Sequence, residues 1–276
     1  MPLKKLKPPM NKFRSEWKSN TVEPGTSSHD TIKSVEDFLG HEKIKELSKL
    51  IDGKRVCLVG PAPNLIGSKM GSIIDSYDVV VRVNQMFEIS EKNKIDYGSR
   101  SDILMGGFNH KGISQCEKNM DYVLSHKLIL GVMPNKGYKP IDIFFNQLNL
   151  KGAQNFLLND HYIYKVFREV GTVTNAGLIS IITLCEYDVK ELFVTGITFY
   201  NMGKFGNIYN EEYFNSAVKT NLPKVKDQQD FGNNYSSTGK GKIHDIHQQI
   251  SYFSWFFSQN KNKVKLDNYL SRHFTT

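Results

Sequence analysis

The sequence predicts an α/β fold, a single Rossmann-like domain with a mainly parallel sheet and a small flexible lid. Three stretches predict it. A strand rich in β-branched residues at 56–59 enters a tight loop with glycine and two prolines at 60–65, and a second strand at 78–83 ends in Asn84. Further on, an apolar helix and a strand that ends in glycine occupy 176–196 and form a second unit of the same kind.

The loop at 60–65 marks a candidate ligand site. A strand that stops at Gly60 before two prolines exposes backbone amides and the Asn64 side chain at the carboxyl edge of a parallel sheet. Because α/β proteins bind nucleotides at this edge, the sequence predicts a nucleotide-dependent enzyme with Gly60 in the loop that holds the nucleotide.

Length and composition favour one globular domain with an appendage. The chain has 276 residues, of which 39% are hydrophobic and 12% aromatic, and these values exclude wholesale disorder. Its net charge of +8 favours anionic partners such as a sugar nucleotide, an acidic glycan, a membrane surface or nucleic acid. A lysine-rich, solvated surface explains the charge equally well, so charge alone does not choose among them.

The same sequence predicts a cytoplasmic protein. Residues 1–18 are basic and polar, without the apolar core of a signal peptide, and no run approaches the ~20 apolar residues of a membrane span. The three cysteines (Cys57, Cys116 and Cys185) are an odd number, and we expect free thiols in a reducing compartment. A single bridge between two of them is the alternative.

The chain divides into an arm, a domain and a lid. Residues 1–33 are rich in lysine, proline, serine and threonine and predict a flexible basic arm. The domain is expected at 34–276, with a polar lid at about 201–243 that lacks a core pattern. Further expected elements are short helices at 34–51, strands at 101–106 and 127–132, and a last helix at 245–259.

Asparagines mark the ends of two strands expected to be neighbours. Asn64 and Asn84 can therefore face one crevice, and an amide suits ribose and cytosine because it offers a donor and an acceptor without charge. A third candidate lies at Asn175-Ala176-Gly177, which opens a helix whose first amides can hold phosphate or ribose. The alternatives are a turn cap, a strand end and an ordinary helix cap.

Candidate catalytic residues lie around the lid. Tyr200 and Tyr209 stand at its entry, and phenol hydroxyls can stabilise a departing phosphate without a metal; no Asp-x-Asp motif for Mn²⁺ or Mg²⁺ occurs in the chain. His244 closes the lid and opens the last helix, whose N-terminal end favours a neutral and therefore basic imidazole. His247 is the alternative base, and structural aromatics and surface histidines are the simpler explanations.

These motifs together resemble those of the eukaryotic sialyltransferases. Residues 55–84 are similar to sialylmotif L, in which Asn64 and Asn84 match asparagines that hold cytidine monophosphate (CMP). Residues 174–196 are similar to sialylmotif S, with Asn175-Ala176-Gly177 at the family's Ser-Thr-Gly. His244-Asp245 resembles the His-Asp of the very small motif, whose histidine is the family's catalytic base.

The chain also resembles bacterial lipooligosaccharide sialyltransferases. Pro63-Asn64-Leu65 is similar to their Pro-Ser-Leu, Arg82-Val83-Asn84-Gln85 to their Arg-Cys-Asn-Gln, and residues 196–200 to their Gly-Ile-Asp-Phe-Tyr. The resemblance implies a GT-A-like sialyltransferase variant of the fold, over roughly residues 54–255. It also implies that Tyr200 contacts the leaving phosphate.

Several positions depart from these patterns. Pro61 replaces an asparagine that both groups carry after the loop glycine, which removes one nucleotide contact, and Gln249 stands at a glutamate of the very small motif. Val56 stands where motif L has a disulfide cysteine, and Tyr209 is the candidate substitute for the histidine of motif III. These departures affect the identity of the donor more than the fold.

The resemblance implies an inverting, metal-independent enzyme that transfers sialic acid or a related keto sugar acid from a CMP-sugar to a glycan hydroxyl, with no cofactor. The partners are then a sugar nucleotide and a glycan acceptor, with peripheral membrane contact through the basic arm. The alternative is a non-catalytic nucleotide- or glycan-binding module or a degenerate transferase, motivated by Pro61 and Gln249. A nucleic-acid binder is disfavoured because no recognition motif accompanies the charge.

Overall fold

The structure is a computed structural model that describes residues 44–134, 138–200, 209–219, 226–228 and 244–274. The predicted basic arm and most of the predicted lid lie outside the described residues. Among the described residues, no helix is both long and apolar enough to span a lipid bilayer.

The core of the described chain is a seven-stranded sheet in which every pairing is parallel. Its strands are rich in valine, isoleucine and leucine, and the central ones are buried on both faces, as parallel sheets require. The strands are β1 (Arg55–Val59), β2 (Val79–Val83), β3 (Ile103–Gly106), β4 (Leu128–Gly131), β5 (Asn155–Leu157), β6 (Glu191–Thr195) and β7 (Val264–Leu266).

Helices connect these strands and cover both faces of the sheet. They are α1 (Lys45–Ile51), α2 (Gly71–Asp75), α3 (Glu91–Tyr97), α4 (His110–Lys118), α5 (Met120–Leu124), α6 (Lys139–Leu150), α7 (Asp160–Val170), α8 (Ala176–Cys185), α9 (Glu211–Tyr213), α10 (Ile246–Gln259) and α11 (Asn268–Phe274). A 3₁₀ turn, Pro63–Leu65, follows β1, and a π-helical turn, Phe214–Lys219, follows α9.

The order of the strands creates one topological switch point. The sheet runs β5-β4-β3-β2-β1-β6-β7, so the chain moves outward from β1 to β5 and then returns to place β6 beside β1. Val59 of β1 pairs with Thr195 of β6 on one side and with Arg82 of β2 on the other. The carboxyl ends of β1, β2 and β6 therefore lie side by side, where open α/β sheets bind ligands.

The predicted parallel α/β fold is confirmed, and each strand expected from the sequence is present with ends shifted by a residue or two. The helix expected at 176–186 is α8, whose side chains are almost all buried, and the last expected helix is α10. The sequence analysis did not place the connecting helices α2 to α7, and it did not predict β5, β7, α9 or α11. The two strands are only three residues long, which is too short for a detectable alternation pattern.

One part of the predicted lid packs against the domain. Tyr213 and Phe214 are buried and form a small cluster with Phe87, which follows β2. The stretch at 209–219 therefore contains core residues that its polar composition did not indicate.

Candidate nucleotide-binding and catalytic site

The floor of the candidate site is a close contact between the loops that follow β1 and β6. A Cβ added to Gly60 would lie 2.4 Å from the carbonyl oxygen of Gly196, and one added to Gly196 would lie 2.3 Å from the carbonyl oxygen of Gly60. Gly196 also has a φ of +67°, which other residues adopt only with strain. Both glycines are thus required for the two loops to meet at the switch point.

The two predicted asparagines lie at the carboxyl ends of neighbouring strands, as expected. The Asn64 amide nitrogen donates to the carboxylate of Asp267, 2.8 Å away, on the β7 side. The Asn84 side-chain oxygen accepts from the backbone N–H of Gly107, 2.9 Å away, on the β3 side. The two carboxamides therefore share one edge of the sheet and are tethered in opposite directions along it.

The N-terminus of α8 meets the same edge. Asn175 caps the helix, because its side-chain oxygen accepts from the backbone N–H of Leu178 at 2.8 Å. A Cβ added to Gly177 would lie 3.3 Å from the Ile197 side chain, in the loop after β6. Asn175, Ala176 and Gly177 thus approach the switch point, while the Asn175 oxygen is already used for capping.

Three hydrogen bonds join the start of α10 to the segment before α8. His244 Nδ1 lies 2.9 Å from the Val173 carbonyl oxygen, and the Asp245 N–H donates to Thr172 Oγ1 at 3.1 Å. The buried Gln249 accepts from the Asn175 N–H at 3.0 Å through its side-chain oxygen. The candidate base and the N-terminus of α8 are therefore held as one unit.

The environment of His244 suits a general base. A carbonyl oxygen only accepts, so Nδ1 carries the proton in the neutral ring and Nε2 keeps its lone pair. Burial lowers the pKa of His244, and the hydrogen bond to Val173 opposes this shift. The direction agrees with the expected neutral imidazole, although burial causes it rather than the helix terminus. His247, the alternative base, is exposed on the first turn of α10.

Tyr200 lies beside this imidazole. The ring centroids of Tyr200 and His244 are 6.0 Å apart, with planes 16° from parallel. Phe199 and Tyr200 have φ angles of 49° and 59°, which are unusual for bulky side chains and store strain in the loop after β6. This strained loop turns the Tyr200 ring toward His244.

Tyr209 completes the aromatic group. Its ring is nearly perpendicular to that of Tyr200, with centroids 6.2 Å apart. Burial raises the pKa of Tyr200, although a hydrogen bond with Tyr209 partly opposes the shift, and burial raises the pKa of Tyr209 as well. Both hydroxyls therefore stay protonated at neutral pH, and they hydrogen-bond to each other.

Two amide side chains fix the backbone around Tyr209. Gln228, which is buried, accepts from the Tyr209 N–H at 2.7 Å and donates to its carbonyl oxygen at 2.9 Å. The next residue, Asn210, donates to the Pro61 carbonyl oxygen through both its backbone N–H and its side-chain amide, at 2.8 and 3.1 Å. The aromatic group is thereby tied to the loop after β1.

The structure thus brings six of the candidate residues together around the switch point, partly through intervening residues such as Val173, Gly196 and Ile197: Gly60, Asn175, Gly177, Tyr200, Tyr209 and His244. Asn64 and Asn84 lie on the adjoining edge. Sequence reasoning missed Asp267 and the parts played by Gln228 and Asn210. No local pattern reveals these roles, because the contacts that matter join segments that are separated in sequence. Within the described ranges, no group of three histidine, cysteine, aspartate or glutamate side chains could hold a metal ion.

A search of solved structures finds the same fold in a mammalian sialyltransferase crystal structure. The TM-score is 0.50 at 16% sequence identity, and the match covers 86% of this chain and 80% of that one. A mammalian sialyltransferase in complex with Gal-beta-1-3GalNAc-ortho-nitrophenol matches with a TM-score of 0.43, 14% identity and the same coverage. No curated protein sequence gives a significant match.

The family comparison covers the first part of the chain. The sequence profile of glycosyltransferase family 29 (sialyltransferase) matches residues 4–167, which include Gly60, Asn64 and Asn84 but end before α8, Tyr200 and His244. This match extends over more than half of the chain and confirms the resemblance found in the motifs. The protein is therefore a glycosyltransferase that belongs to family 29, the sialyltransferases.

Proposed function

We propose that this glycosyltransferase moves sialic acid or a related keto sugar acid from a CMP conjugate to a glycan hydroxyl, with inversion and without a metal. The observation that carries the proposal is the setting of His244. Its Nδ1–H is engaged by the Val173 carbonyl, its Nε2 is left as an acceptor, and its ring lies parallel to that of Tyr200.

The donor nucleotide is assigned to the edge formed by β1, β2 and β6. Asn64 and Asn84 supply uncharged polar groups for ribose and base, and Gly60 provides the close turn beneath them. Asn175, Ala176 and Gly177 bring the N-terminus of α8, whose amides and dipole favour the phosphate.

The transfer is a direct displacement at the anomeric carbon. His244 Nε2 takes the proton from the acceptor hydroxyl as its oxygen forms the new glycosidic bond. The bond from the anomeric carbon to the phosphate oxygen breaks on the opposite face, and its electron pair leaves with CMP. The protonated Tyr200 hydroxyl donates to that phosphate, and Tyr209 supports it through the hydrogen bond between the two phenols, so that charge is stabilised without a cation.

We assign a glycan as the acceptor. The positive charge of the chain suits an acidic glycan, and it equally suits contact with an anionic surface. Contact of the basic arm with a membrane, the boundaries of the lid and the cytoplasmic location stay predictions. The free thiols of Cys57, Cys116 and Cys185 support a reducing compartment.

The test compares two histidine variants. His244→Ala should lower the release of CMP from CMP-sialic acid, measured with a panel of glycan acceptors, by about a hundredfold or more, because general-base catalysis is worth that much. His247→Ala is the matched control, since its exposed ring lies only three residues away, and it should retain wild-type turnover.

Calorimetric titration with CMP separates catalysis from binding. Both variants should bind CMP with nearly the wild-type affinity, because neither histidine is assigned to the nucleotide. Unchanged turnover in His244→Ala refutes the base assignment. A wild-type chain that binds CMP but turns over no donor supports the alternative of a non-catalytic binding module.

A further inference from the structure

The two asparagines at the nucleotide edge are fixed with opposite polarity. We infer that Asp267 is a positioning residue that holds Asn64 as a hydrogen-bond acceptor for the nucleotide, whereas Asn84 is held as a donor. This inference rests on the proposed function and adds to it the residue that sets the orientation of Asn64.

Asp267 follows β7 and is buried beneath the loops of the site. One oxygen, Oδ2, accepts from Asn64 Nδ2 at 2.8 Å, from Thr195 Oγ1 at 2.8 Å and from the Gly196 N–H at 3.3 Å. The other, Oδ1, accepts from the Leu270 N–H at 2.8 Å and caps α11. The carboxylate therefore joins the loops after β1 and β6 to the C-terminal strand and helix.

This contact decides which end of the Asn64 amide faces the protein. A carboxylate only accepts hydrogen bonds, so the amide nitrogen must turn toward Asp267 and the amide oxygen must turn away. That oxygen, Oδ1, is buried and has no hydrogen-bond partner among the residues that the structure describes. A buried acceptor without a partner is unfavourable, and a ligand N–H or O–H removes this penalty.

The carboxylate also strengthens the acceptor. An amide that donates to a charged oxygen is polarised, which increases the negative charge on its own oxygen. Because Asn64 Oδ1 is shielded from water before a ligand arrives, the neighbouring side chains must move aside for the nucleotide to reach it. The group that it binds carries a hydrogen, such as a ribose hydroxyl or the exocyclic amine of cytosine.

Asn84 has the reverse arrangement. Its backbone has a φ of 56°, a left-handed conformation that asparagine tolerates better than most residues. Its side-chain oxygen is taken by the Gly107 N–H, and among the described residues its amide nitrogen makes no hydrogen bond. Asn84 therefore donates to an oxygen that CMP shares with its deoxy analogues and with UMP, such as the base carbonyl.

The experiment measures how CMP affinity depends on single ligand donors. Calorimetry compares CMP with three analogues: 2′-deoxy-CMP and 3′-deoxy-CMP, which each lack one ribose hydroxyl, and UMP, which has oxygen in place of the exocyclic amine. Wild-type protein should bind at least one analogue about tenfold more weakly than CMP, the typical effect of one lost hydrogen bond.

We call the loss of affinity for that analogue relative to CMP the analogue penalty. Its size should differ among three variants. It should disappear in Asn64→Ala and shrink in Asp267→Asn, which replaces one acceptor oxygen by a donor and releases the Asn64 orientation. It should persist in Asn84→Ala, the matched control, because Asn84 is a donor. The inference is overturned if, for every analogue, the penalty is the same in wild type and in Asn64→Ala. It is also overturned if the penalty is lost only in Asn84→Ala.

A double variant distinguishes positioning from structural support. Asp267→Asn should weaken CMP binding in the wild-type background and have little further effect in the Asn64→Ala background, because it acts through Asn64. If the two substitutions instead weaken CMP binding by factors that simply multiply, Asp267 has a structural role and the assignment is overturned. Asp267→Asn alone should raise the KM for the CMP-sugar more than it lowers kcat.

Folding defects leave the test intact. If Asp267→Asn is unstable, the exchange N64D/D267N restores one donor and one acceptor between the positions, and it should bind CMP more tightly than N64D alone. Equal or weaker binding by the exchange variant rejects the contact. A wild-type chain with no affinity for CMP overturns the proposed function and this inference together, whereas CMP binding with multiplying effects overturns the inference alone.

Discussion

His244 sets the acid limit of the proposed reaction. Burial lowers the pKa of this imidazole below its ordinary value of 6.5, so the ring loses its basic lone pair only at a more acidic pH. We expect kcat/KM for the CMP-sugar to fall as pH decreases, with a midpoint below 6.5. A midpoint at or above 6.5, in a profile recorded from pH 4.5 to 8, contradicts the assignment.

The same shift affects stability with a defined sign. Because the folded protein disfavours protonation of His244, this residue stabilises the fold above its ordinary pKa, and the contribution decreases as pH falls through the lowered value. Circular dichroism across the pH range shows whether the loss of activity precedes any loss of fold.

Gly60 tests the close contact at the floor of the site. In Gly60→Ala the new methyl group meets the Gly196 carbonyl oxygen and the Ile197 side chain, so the two loops must separate. We expect the free energy of unfolding to fall by about 1–3 kcal/mol, measured by urea denaturation, and CMP binding to weaken.

Gly67→Ala is the control for Gly60→Ala. Gly67 has open space around its Cα but a φ of +74°, so its substitution costs backbone strain alone, about 1 kcal/mol. CMP affinity should stay near the wild-type value there. An equal loss of stability and of CMP affinity in both variants indicates that the loop contact has no special importance.

Among the elements, α9 anchors the segment that carries Tyr209. The Glu212 carboxylate accepts from the Ser90 N–H at 2.8 Å, from the Ser90 hydroxyl at 3.1 Å and from the Asn93 amide. Farther along, the Gln115 amide donates to the Ser216 carbonyl oxygen at 2.6 Å. The segment is thus fixed to α3 and α4, and Tyr209 depends on these contacts for its place beside Tyr200.

Replacement of Glu212 tests this anchor. Glu212→Ala removes three hydrogen bonds to one carboxylate, and we expect kcat for transfer to fall about three- to tenfold through displacement of Tyr209. Glu211→Ala is the matched control, since Glu211 is exposed in the same turn of helix, and it should keep the wild-type kcat. If Glu212→Ala and Glu211→Ala have equal kcat values, the Glu212 contacts play no part in catalysis.

Some elements with strong local patterns were predicted, whereas α7 was missed despite the helical spacing of its buried residues, and the short edge strands carry no such pattern. The run Val79–Val83 is β-branched at four of five positions, and α8 carries a continuous apolar face, so both were expected with nearly their observed bounds. By contrast, Val264–Leu266 is a strand only because it pairs with β6 at the edge of the sheet. Its identity depends on a tertiary contact that three residues cannot encode locally.

At the scale of the whole molecule, the site is an assembly of distant segments, and this limits what sequence can predict. Asn64 and Asn84 were predictable because each follows a recognisable strand. Asp267 was not, because its contact with Asn64 joins positions 203 residues apart. Likewise, the sequence marked Gln249 only as a departure from the very small motif, whereas its bond to the Asn175 backbone, 74 residues away, is seen only in the structure.

An assembly of this kind should be stabilised by its ligand as a whole. If CMP binds the folded chain alone, CMP at a hundred times its Kd adds about 2.7 kcal/mol to the free energy of unfolding. For a domain of this size the expected rise in Tm is about 5–10 °C, measured by differential scanning fluorimetry.

AMP at the same concentration should shift Tm less, because the asparagines and α8 are assigned to a pyrimidine nucleotide. His244→Ala should keep the full CMP shift, since the imidazole is assigned to the acceptor. Equal shifts with CMP and AMP contradict the assigned nucleotide, and a CMP shift lost in His244→Ala moves the histidine from the acceptor side of the site to the donor side.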